Sequence, residues 1–407
     1  MKKAYSEAIK TGLYARPTGL LGKYDNVRRY WEDGITRLFL RPYLVRLLEQ
    51  RGLLRILDLG CGSGDGYELL TSIMAHEPEI TEWEVDLVAD EKISLYKGID
   101  LNPDLIAQAE SIYGDRGFMS FQVGNFADGL PLEKEEPAYD IYFTSYGSLS
   151  HLKDSQLEKL LSSIGKHANP GSLVICDFLG RYSYEWQDLW KREPDIDQFM
   201  DYKISYLQAP QETKEKKDIK GFPLRLVCPR ELTDVIARVN RKGKKQLAIK
   251  RIFDRSILVG RHMETAEYNT NAQPLRRMIN SLHEEDVRTD FGELYFPYYP
   301  KKGFPELNRF FRQIEECWNI LLRYCQQRLT QHLDIIELEG WRNFPPVLQQ
   351  AIMTLDRVID SVGWMRMGDS RANIIEPQLG YALRGLEMEL QQGMGCAHSL
   401  VGIFEVV

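Results

Sequence analysis

The feature that most constrains the fold of this chain is a glycine-rich loop at residues 57–64, which read LDLGCGSG. The loop follows a short apolar run that begins at Leu53, and residues 65–75 after it have apolar side chains at helical spacing. Glycines at alternate positions let the backbone turn sharply and approach a ligand, because they carry no Cβ. A strand, such a loop and a helix open a βαβ unit, whose loop lies at the carboxyl edge of a sheet and binds nucleotide-like ligands.

The alternation of strand and helix continues after this loop. Apolar runs and helical spacing predict strands at 95–99, 119–123, 139–146 and 172–178, with helices at 103–112 and 154–167. Such alternation predicts an α/β fold with a doubly wound, mostly parallel sheet that has helices on both faces. The apolar run 399–407 predicts one more buried strand, which we expect to return to the same sheet.

The remaining chain predicts additions to this core. A length of 407 residues allows roughly two to three domains. Helical spacing predicts further long helices at 306–333, 346–361 and 377–391, and two polar stretches, 77–92 and 211–220, are predicted as an insertion and a solvated loop. We therefore predict an N-terminal helical segment at 1–50, a core at 51–263 with an inserted segment at 180–223, a mainly helical insertion at 264–395 and a closing strand within 396–407.

Composition excludes several classes of protein. A net charge of -7 argues against a general nucleic-acid binder, which needs a basic surface to meet phosphates. No apolar run approaches the ~20 residues that span a bilayer, and the N-terminus lacks the apolar stretch of a secretory signal. The six cysteines have no CxxC pairing, which predicts reduced thiols and no zinc site. We expect a cytoplasmic protein that binds no nucleic acid, membrane or metal.

The residues around the loop narrow the class of ligand. A dinucleotide fold has glycine or alanine at the last position of GxGxxG, where this chain has Asp65, and a phosphate-binding P-loop needs a Lys-Ser/Thr pair that does not follow here. The second strand ends at Asp100, and a carboxylate there can accept hydrogen bonds from both hydroxyls of a ribose. The third strand is followed by Asn125 and Phe126.

This ordered set resembles class I methyltransferases that depend on S-adenosylmethionine (SAM), over residues 28–178 and the final strand. The resemblance implies a seven-stranded sheet and SAM as the cofactor. Asn125 departs from the aspartate common at that position, although an amide oxygen can still accept from the adenine amine. By this resemblance, the cofactor-binding residues are Asp58, Gly60, Cys61, Gly62, Gly64, Asp100, Leu101, Asn125, Phe126, Ser145 and Tyr146. A Rossmann-like domain with another ligand, or a degenerate one without activity, is the alternative.

Candidates for acid–base and acceptor-binding roles lie outside the motifs. His151 follows the fourth strand and His262 follows a later strand-like run, and a histidine near its ordinary pKa of ~6.5 can accept a proton during methyl transfer. Either residue can equally be a loop or surface histidine. Tyr268, Tyr295 and Tyr298 are candidate substrate contacts, with packing of an irregular insertion as the alternative.

The function expected from the sequence is methyl transfer from SAM to a small-molecule acceptor, such as a natural product or an aromatic or amine metabolite. The alternatives are a protein or carrier-bound acceptor, and a non-catalytic SAM-binding protein that recruits a partner. The sequence leaves open whether oxygen, nitrogen or carbon is methylated, and it leaves the oligomeric state open.

Overall fold

The computed structural model describes residues 5–6, 9–10, 23–75, 86–193, 197–205, 220–330, 338–365 and 368–407. Of the two predicted polar stretches, residues 77–85 and 211–219 lie outside the described residues.

The strands form one sheet whose central part is parallel. Their bounds are β1 Leu54–Leu59, β2 Ile93–Asp100, β3 Met119–Val123, β4 Ile141–Phe143, β5 Leu173–Gly180, β6 Gln198–Tyr202, β7 Phe222–Val227, β8 Leu247–Arg255 and β9 Ser399–Val406. The parallel strands follow the order β3-β2-β1-β4-β5, and β9 pairs antiparallel with both β5 and β8. The series β3-β2-β1-β4-β5-β9-β8 is therefore a seven-stranded, mostly parallel sheet in which only β9 runs in the opposite direction.

Helices cover this sheet and form a separate layer beside it. Their bounds are α1 Asp33–Arg51, α2 Asp65–Thr71, α3 Pro103–Tyr113, α4 Asp154–His167, α5 Pro229–Lys242, α6 Leu275–Ser281, α7 Pro305–Thr330, α8 Pro346–Ser361 and α9 Glu376–Leu390. A π-helical segment, Val27–Glu32, leads into α1. The helices α7, α8 and α9 pack against one another.

Burial along β5 shows that the sheet is covered on both faces. Every residue of β5 is buried. Leu173 and Ile175 point into the core shared with α1 and the helical layer, whereas Val174 and Phe178 point into the core shared with α4 and α5. The predicted doubly wound α/β fold, with an N-terminal helical segment and a large helical insertion, is confirmed. None of the helices within the described residues has the length and apolar character needed to cross a bilayer.

Two segments differ from the prediction. The fourth strand is shorter than 139–146, because the chain turns after Phe143 and Tyr146 adopts a positive φ of 56°. The inserted segment predicted at 180–223 contains β6 and the start of β7, which form an antiparallel hairpin. Leu179 of β5 pairs with β9 on one side and with β7 on the other. Because β4 pairs with β5 only as far as Ile175, the rest of that side of β5 is open, and β7 pairs there with Leu179 and Gly180.

Candidate cofactor and acceptor site

A cavity of about 370 Å³ lies at the carboxyl edge of the parallel strands, a volume within the range of small-molecule sites. Its walls fall into two groups. The loops after β1–β4 supply what we call the loop half, which includes Gly60, Cys61, Gly62, Asp100, Leu101, Asn102, Gly124, Asn125, Phe126, Ala127, Ser145 and Tyr146. The segments that close over this edge supply the cover half, which includes Lys23, Arg28, Glu32, His151, Tyr202, Ile204, Arg255, Arg261, His398 and Ser399.

The glycine loop leaves space for a ligand, and a side chain on the loop would fill that space. Gly60 has a φ of 79°, a conformation that residues with a Cβ rarely adopt. A Cβ at Gly60 would lie 2.7 Å from the side chain of Ser148, which lies on the adjacent cavity wall and donates its hydroxyl to the Gly60 carbonyl at 3.3 Å. The sequence therefore places glycine where the loop backbone has to approach both the ligand and this wall.

Asp100 ends β2 beside this loop, and its carboxylate lines the cavity. One oxygen accepts from the backbone N–H of Gly62 at 3.0 Å and the other from that of Asn102 at 2.8 Å. Burial raises the pKa of Asp100, and these two backbone N–H groups oppose that rise. The hydrogen bonds fix the carboxylate in the cavity, and each oxygen retains lone pairs that a vicinal diol can use.

The loops after β3 and β4 complete the loop half. Asn125 accepts from the N–H of Ala127 at 3.0 Å, and Phe126 beside it is almost fully buried. Tyr146 donates its backbone N–H to Asp177 at 2.8 Å, and the guanidinium carbon of Arg28 lies 3.1 Å from the centroid of the Tyr146 ring. Arg28 therefore stacks on a tyrosine in a positive-φ turn, and both residues line the cavity.

Asp58 and Gly64 support the loop from behind and are not among the described residues that line the cavity. Asp58 is fully buried and accepts from the Tyr96 hydroxyl at 2.5 Å, and burial raises the pKa of this carboxyl to about 7. A Cβ at Gly66 would lie 2.2 Å from its carboxylate oxygen, so Asp58 packs under the first turn of α2. Gly64, with a φ of 94°, packs closely on Tyr113. Direct contact of Asp58 or Gly64 with the cofactor stays a prediction.

The two histidines proposed from the sequence occupy different places. His151 lines the cavity with its ring stacked on Phe222 at 5.8 Å, and burial lowers its pKa to about 4. His262 lies one layer behind the described lining, in edge contact with Tyr202 at 4.8 Å, and burial lowers its pKa to about 3. Both imidazoles are neutral at pH 7 and are weak proton acceptors. A catalytic role for either one stays a prediction.

The three tyrosines proposed as substrate contacts are not part of the described lining. Their hydroxyls are used within the protein: Tyr268 donates to the carbonyl of Asp201 at 2.6 Å and Tyr298 to Asn308 at 2.6 Å. Tyr295 donates to Gln326 at 3.3 Å. These contacts favour the alternative that the rings pack the insertion, and their role in binding the acceptor stays a prediction.

Two residues of the cover half, Arg255 and His398, were missed by the sequence reasoning. Arg255 ends β8 and donates to Asp177 and to Ser399, each at 2.8 Å. His398 precedes β9, and its Nδ1 lies 2.8 Å from a carboxylate oxygen of Glu185. These residues come from segments far apart in the chain, so no local spacing marks them. The one available signal was that Arg255 and His398 flank apolar strand-like runs, as Asp100 does.

Comparisons with known proteins give remote likenesses in structure only. No family model and no curated protein matches the chain. Solved structures that it matches include the CcbJ methyltransferase from Streptomyces caelestis (14% identity, 62% of this chain and 90% of that one, TM-score 0.37). A SAM-dependent methyltransferase from Clostridium acetobutylicum matches at 14% identity over 56% of this chain and 86% of that one, with a TM-score of 0.35. The glycopeptide N-methyltransferase MtfA, solved with SAM, matches at 14% identity over 52% and 79%, with a TM-score of 0.34. The acceptor does not follow from likenesses this remote.

Proposed function

We propose that this chain is a SAM-dependent methyltransferase that acts on a small-molecule acceptor. The observation that carries the proposal is the carboxylate of Asp100 in the cavity, held by the N–H of Gly62 in a glycine loop where a Cβ at Gly60 would collide with Ser148. A carboxylate fixed in this way suits ribose hydroxyls, and Asp65 stands where a dinucleotide fold has glycine or alanine.

The other residues of the cavity fit the remaining parts of SAM. Asn125 and Phe126 would bind the adenine, the first through its amide and the second through its ring. The methionine carboxylate calls for a cation, and Nη2 of Arg28 is buried with no hydrogen-bond partner among the described residues. Lys23 lies close by and forms an ion pair with Asp65. When bound, SAM supplies an electrophilic methyl group, and the protein's task is to align the acceptor with it.

A small acceptor is favoured by the construction of the cover half. Its side chains come from the N-terminal segment, the turn after β4, the β6–β7 hairpin, the end of β8 and the start of β9, and they line one cavity together with the loop half. A cavity of this volume, lined by side chains from several segments, suits a metabolite better than a protein surface.

All six cysteines are free thiols, in keeping with the cytoplasmic location that we propose. Among the described residues, no group of histidine, cysteine and acidic side chains is arranged to hold a metal.

Calorimetry with SAM and with its product S-adenosylhomocysteine tests the cofactor assignment, and absence of binding would overturn it. The acceptor class is tested by incubating the protein with methyl-labelled SAM and a cell extract separated into metabolite and macromolecular fractions. We expect label in the metabolite fraction. Label in protein would support the carrier or protein acceptor, and tight binding without transfer would support a non-catalytic binding protein.

A further inference from the structure

His398 differs from the other histidines at the cavity because a buried carboxylate holds it. Its side chain is 13% exposed and lines the cavity, whereas Glu185 is fully buried. Nδ1 of His398 lies 2.8 Å from the Glu185 carboxylate, which leaves Nε2 on the opposite side of the ring available to a ligand. A carboxylate acceptor at Nδ1 fixes the tautomer in which Nδ1 carries the hydrogen and Nε2 has the lone pair.

The carboxylate of Glu185 is itself fixed in position. One of its oxygens accepts from the backbone N–H of His262 at 2.5 Å, and the other accepts from the Ser183 hydroxyl at 3.2 Å. Burial alone raises the pKa of Glu185, but attraction to His398 and these hydrogen bonds outweigh it, so the pKa lies below its ordinary value. Glu185 is therefore ionised at neutral pH and can stabilise a positive charge on the imidazole.

The backbone of His398 is also held on both sides. Its N–H donates to the carbonyl of Ser256 at 3.0 Å, and its carbonyl accepts from the N–H of Gly180 at 3.2 Å. Gly180 ends β5, so His398 sits at the same edge of the sheet as Asp100 and Tyr146. Of the charged and titratable groups, Glu185 and His262 contact the His398 ring, and Arg255 donates to the adjacent Ser399. Arg261 and Tyr202 line the same cavity.

We propose that His398 is the general base of the reaction, with Glu185 as its positioning residue, and that the acceptor is a hydroxyl compound. This inference rests on the proposed methyltransferase function. The acceptor oxygen forms a bond to the methyl carbon while the carbon–sulfur bond breaks and its electron pair stays on sulfur. The hydroxyl proton passes to Nε2 of His398, and the Glu185 carboxylate stabilises the resulting imidazolium. His398 returns the proton to solvent after the methyl ether leaves.

The His398–Glu185 pair is tested by nitrogen NMR of the full chain, labelled with 15N-histidine and saturated with S-adenosylhomocysteine, from pH 5 to 9. His398→Gln assigns the signal. We expect the Nδ1–H tautomer in the wild type, and we expect Glu185→Gln to reduce the population of this tautomer, because the carboxylate that accepts from Nδ1 is replaced by a weaker, neutral acceptor. Glu306→Gln, at an exposed position in α7, is the matched control. An Nε2–H tautomer in the wild type, or equal tautomer populations in wild type and Glu185→Gln, would overturn the proposal.

Transfer from methyl-labelled SAM to catechol and to the hydroxyl compounds of the metabolite fraction tests the catalytic step. We expect His398→Gln to reduce O-methylation about 100-fold or more, and Glu185→Gln to reduce it less while shifting the pH profile. SAM affinity should stay within about twofold of wild type in both variants, since neither residue belongs to the loop half. Transfer to amines only, or O-methylation unaffected by His398→Gln, contradicts the base assignment. Loss of SAM binding by the wild-type protein would instead contradict the proposed function.

Discussion

The loop half and the cover half of the cavity are built on different principles. The loop half is made by short loops that each follow a parallel strand, and its geometry depends on backbone: positive-φ glycines and the N–H groups that hold Asp100. The cover half is made of long charged side chains such as Arg28 and Arg255, brought together from distant segments and held by buried partners. The loop half is therefore specified by local sequence, whereas the cover half, which includes Arg28 opposite the proposed cofactor, is specified by tertiary structure.

The largest effect is expected from Asp100→Ala, which should weaken SAM binding about 100-fold or more. The variant removes the carboxylate that would accept hydrogen bonds from the two ribose hydroxyls of SAM, and each such bond to a charged acceptor is worth about 1.5–3 kcal/mol. Calorimetry measures the affinity, and Glu110→Ala, an exposed change in α3, is the control. An affinity equal to that of wild type would show that the loop half does not bind the ribose.

An intermediate effect is expected from Gly260→Ala, which perturbs the cover half alone. Gly260 has φ -62° and ψ 161°, angles that alanine adopts freely, but a Cβ there would lie 2.0 Å from the Glu185 carboxylate. We expect the displaced carboxylate to release His398 and to lower turnover about tenfold, equivalent to ~1.4 kcal/mol, with SAM affinity unchanged.

The control for this variant is Gly385→Ala in α9, where a Cβ would meet nothing within 4 Å. Turnover is measured with the methyl acceptor found in the extract assay. Turnover equal to that of wild type in Gly260→Ala would contradict a role of Glu185 in catalysis. An equal loss of turnover in Gly385→Ala would contradict it as well.

The smallest effect on turnover is expected from His151→Phe, which should reduce it by less than about tenfold and far less than His398→Gln. The variant should instead change how strongly the free energy of unfolding falls at acid pH. Burial lowers the pKa of His151 to about 4, so the unfolded chain binds a proton at this residue more readily between pH 6.5 and 4. Wild type thus loses stability as the pH falls through this window, and His151→Phe should lose less.

Urea unfolding at pH 7 and at pH 4.5 measures this difference. His283→Phe is a matched control outside the cavity, because His283 also stacks on an aromatic ring, Tyr30, and its pKa is likewise lowered by burial to about 4. Both variants should show the same gain in acid stability. A loss of turnover of about 100-fold in His151→Phe alone would make His151 the base instead of His398.

The contrast between Asp100 and His398 shows why one site residue could be predicted from the sequence and the other could not. Both residues flank an apolar run, and both lie at the same edge of the sheet. Asp100 ends a parallel strand, so the rule that ligands bind at the carboxyl ends of such strands finds it. His398 precedes β9, which is antiparallel, and an antiparallel strand brings its beginning to that edge. The direction of β9 is set by its tertiary pairing with β5 and β8, which no local pattern records.

The same contrast between local and tertiary information accounts for the other elements and residues that the sequence did or did not predict. The strands and the long helices have strong periodicity, and their positions agree closely with the prediction, as α4 and α8 show. The β6–β7 hairpin was not predicted because its place depends on an opening beside β5 that arises only where β4 ends. Glu185 carries no signal in the sequence, since its role follows from burial and from contact with a residue more than 200 positions away.

The two backbone hydrogen bonds that hold His398 have a consequence for how the sequence of such a protein can change. The helical insertion ends shortly before His398, yet the position of this residue is set by Ser256 and Gly180, which belong to the sheet region. Glu387 of α9 in turn accepts from the backbone N–H groups of Ser256 and Ile257, at 2.7 and 3.0 Å. Lineages or engineers that exchange α9 would therefore move one support of the proposed base, so this helix is tied to the reaction centre although it lies outside the cavity.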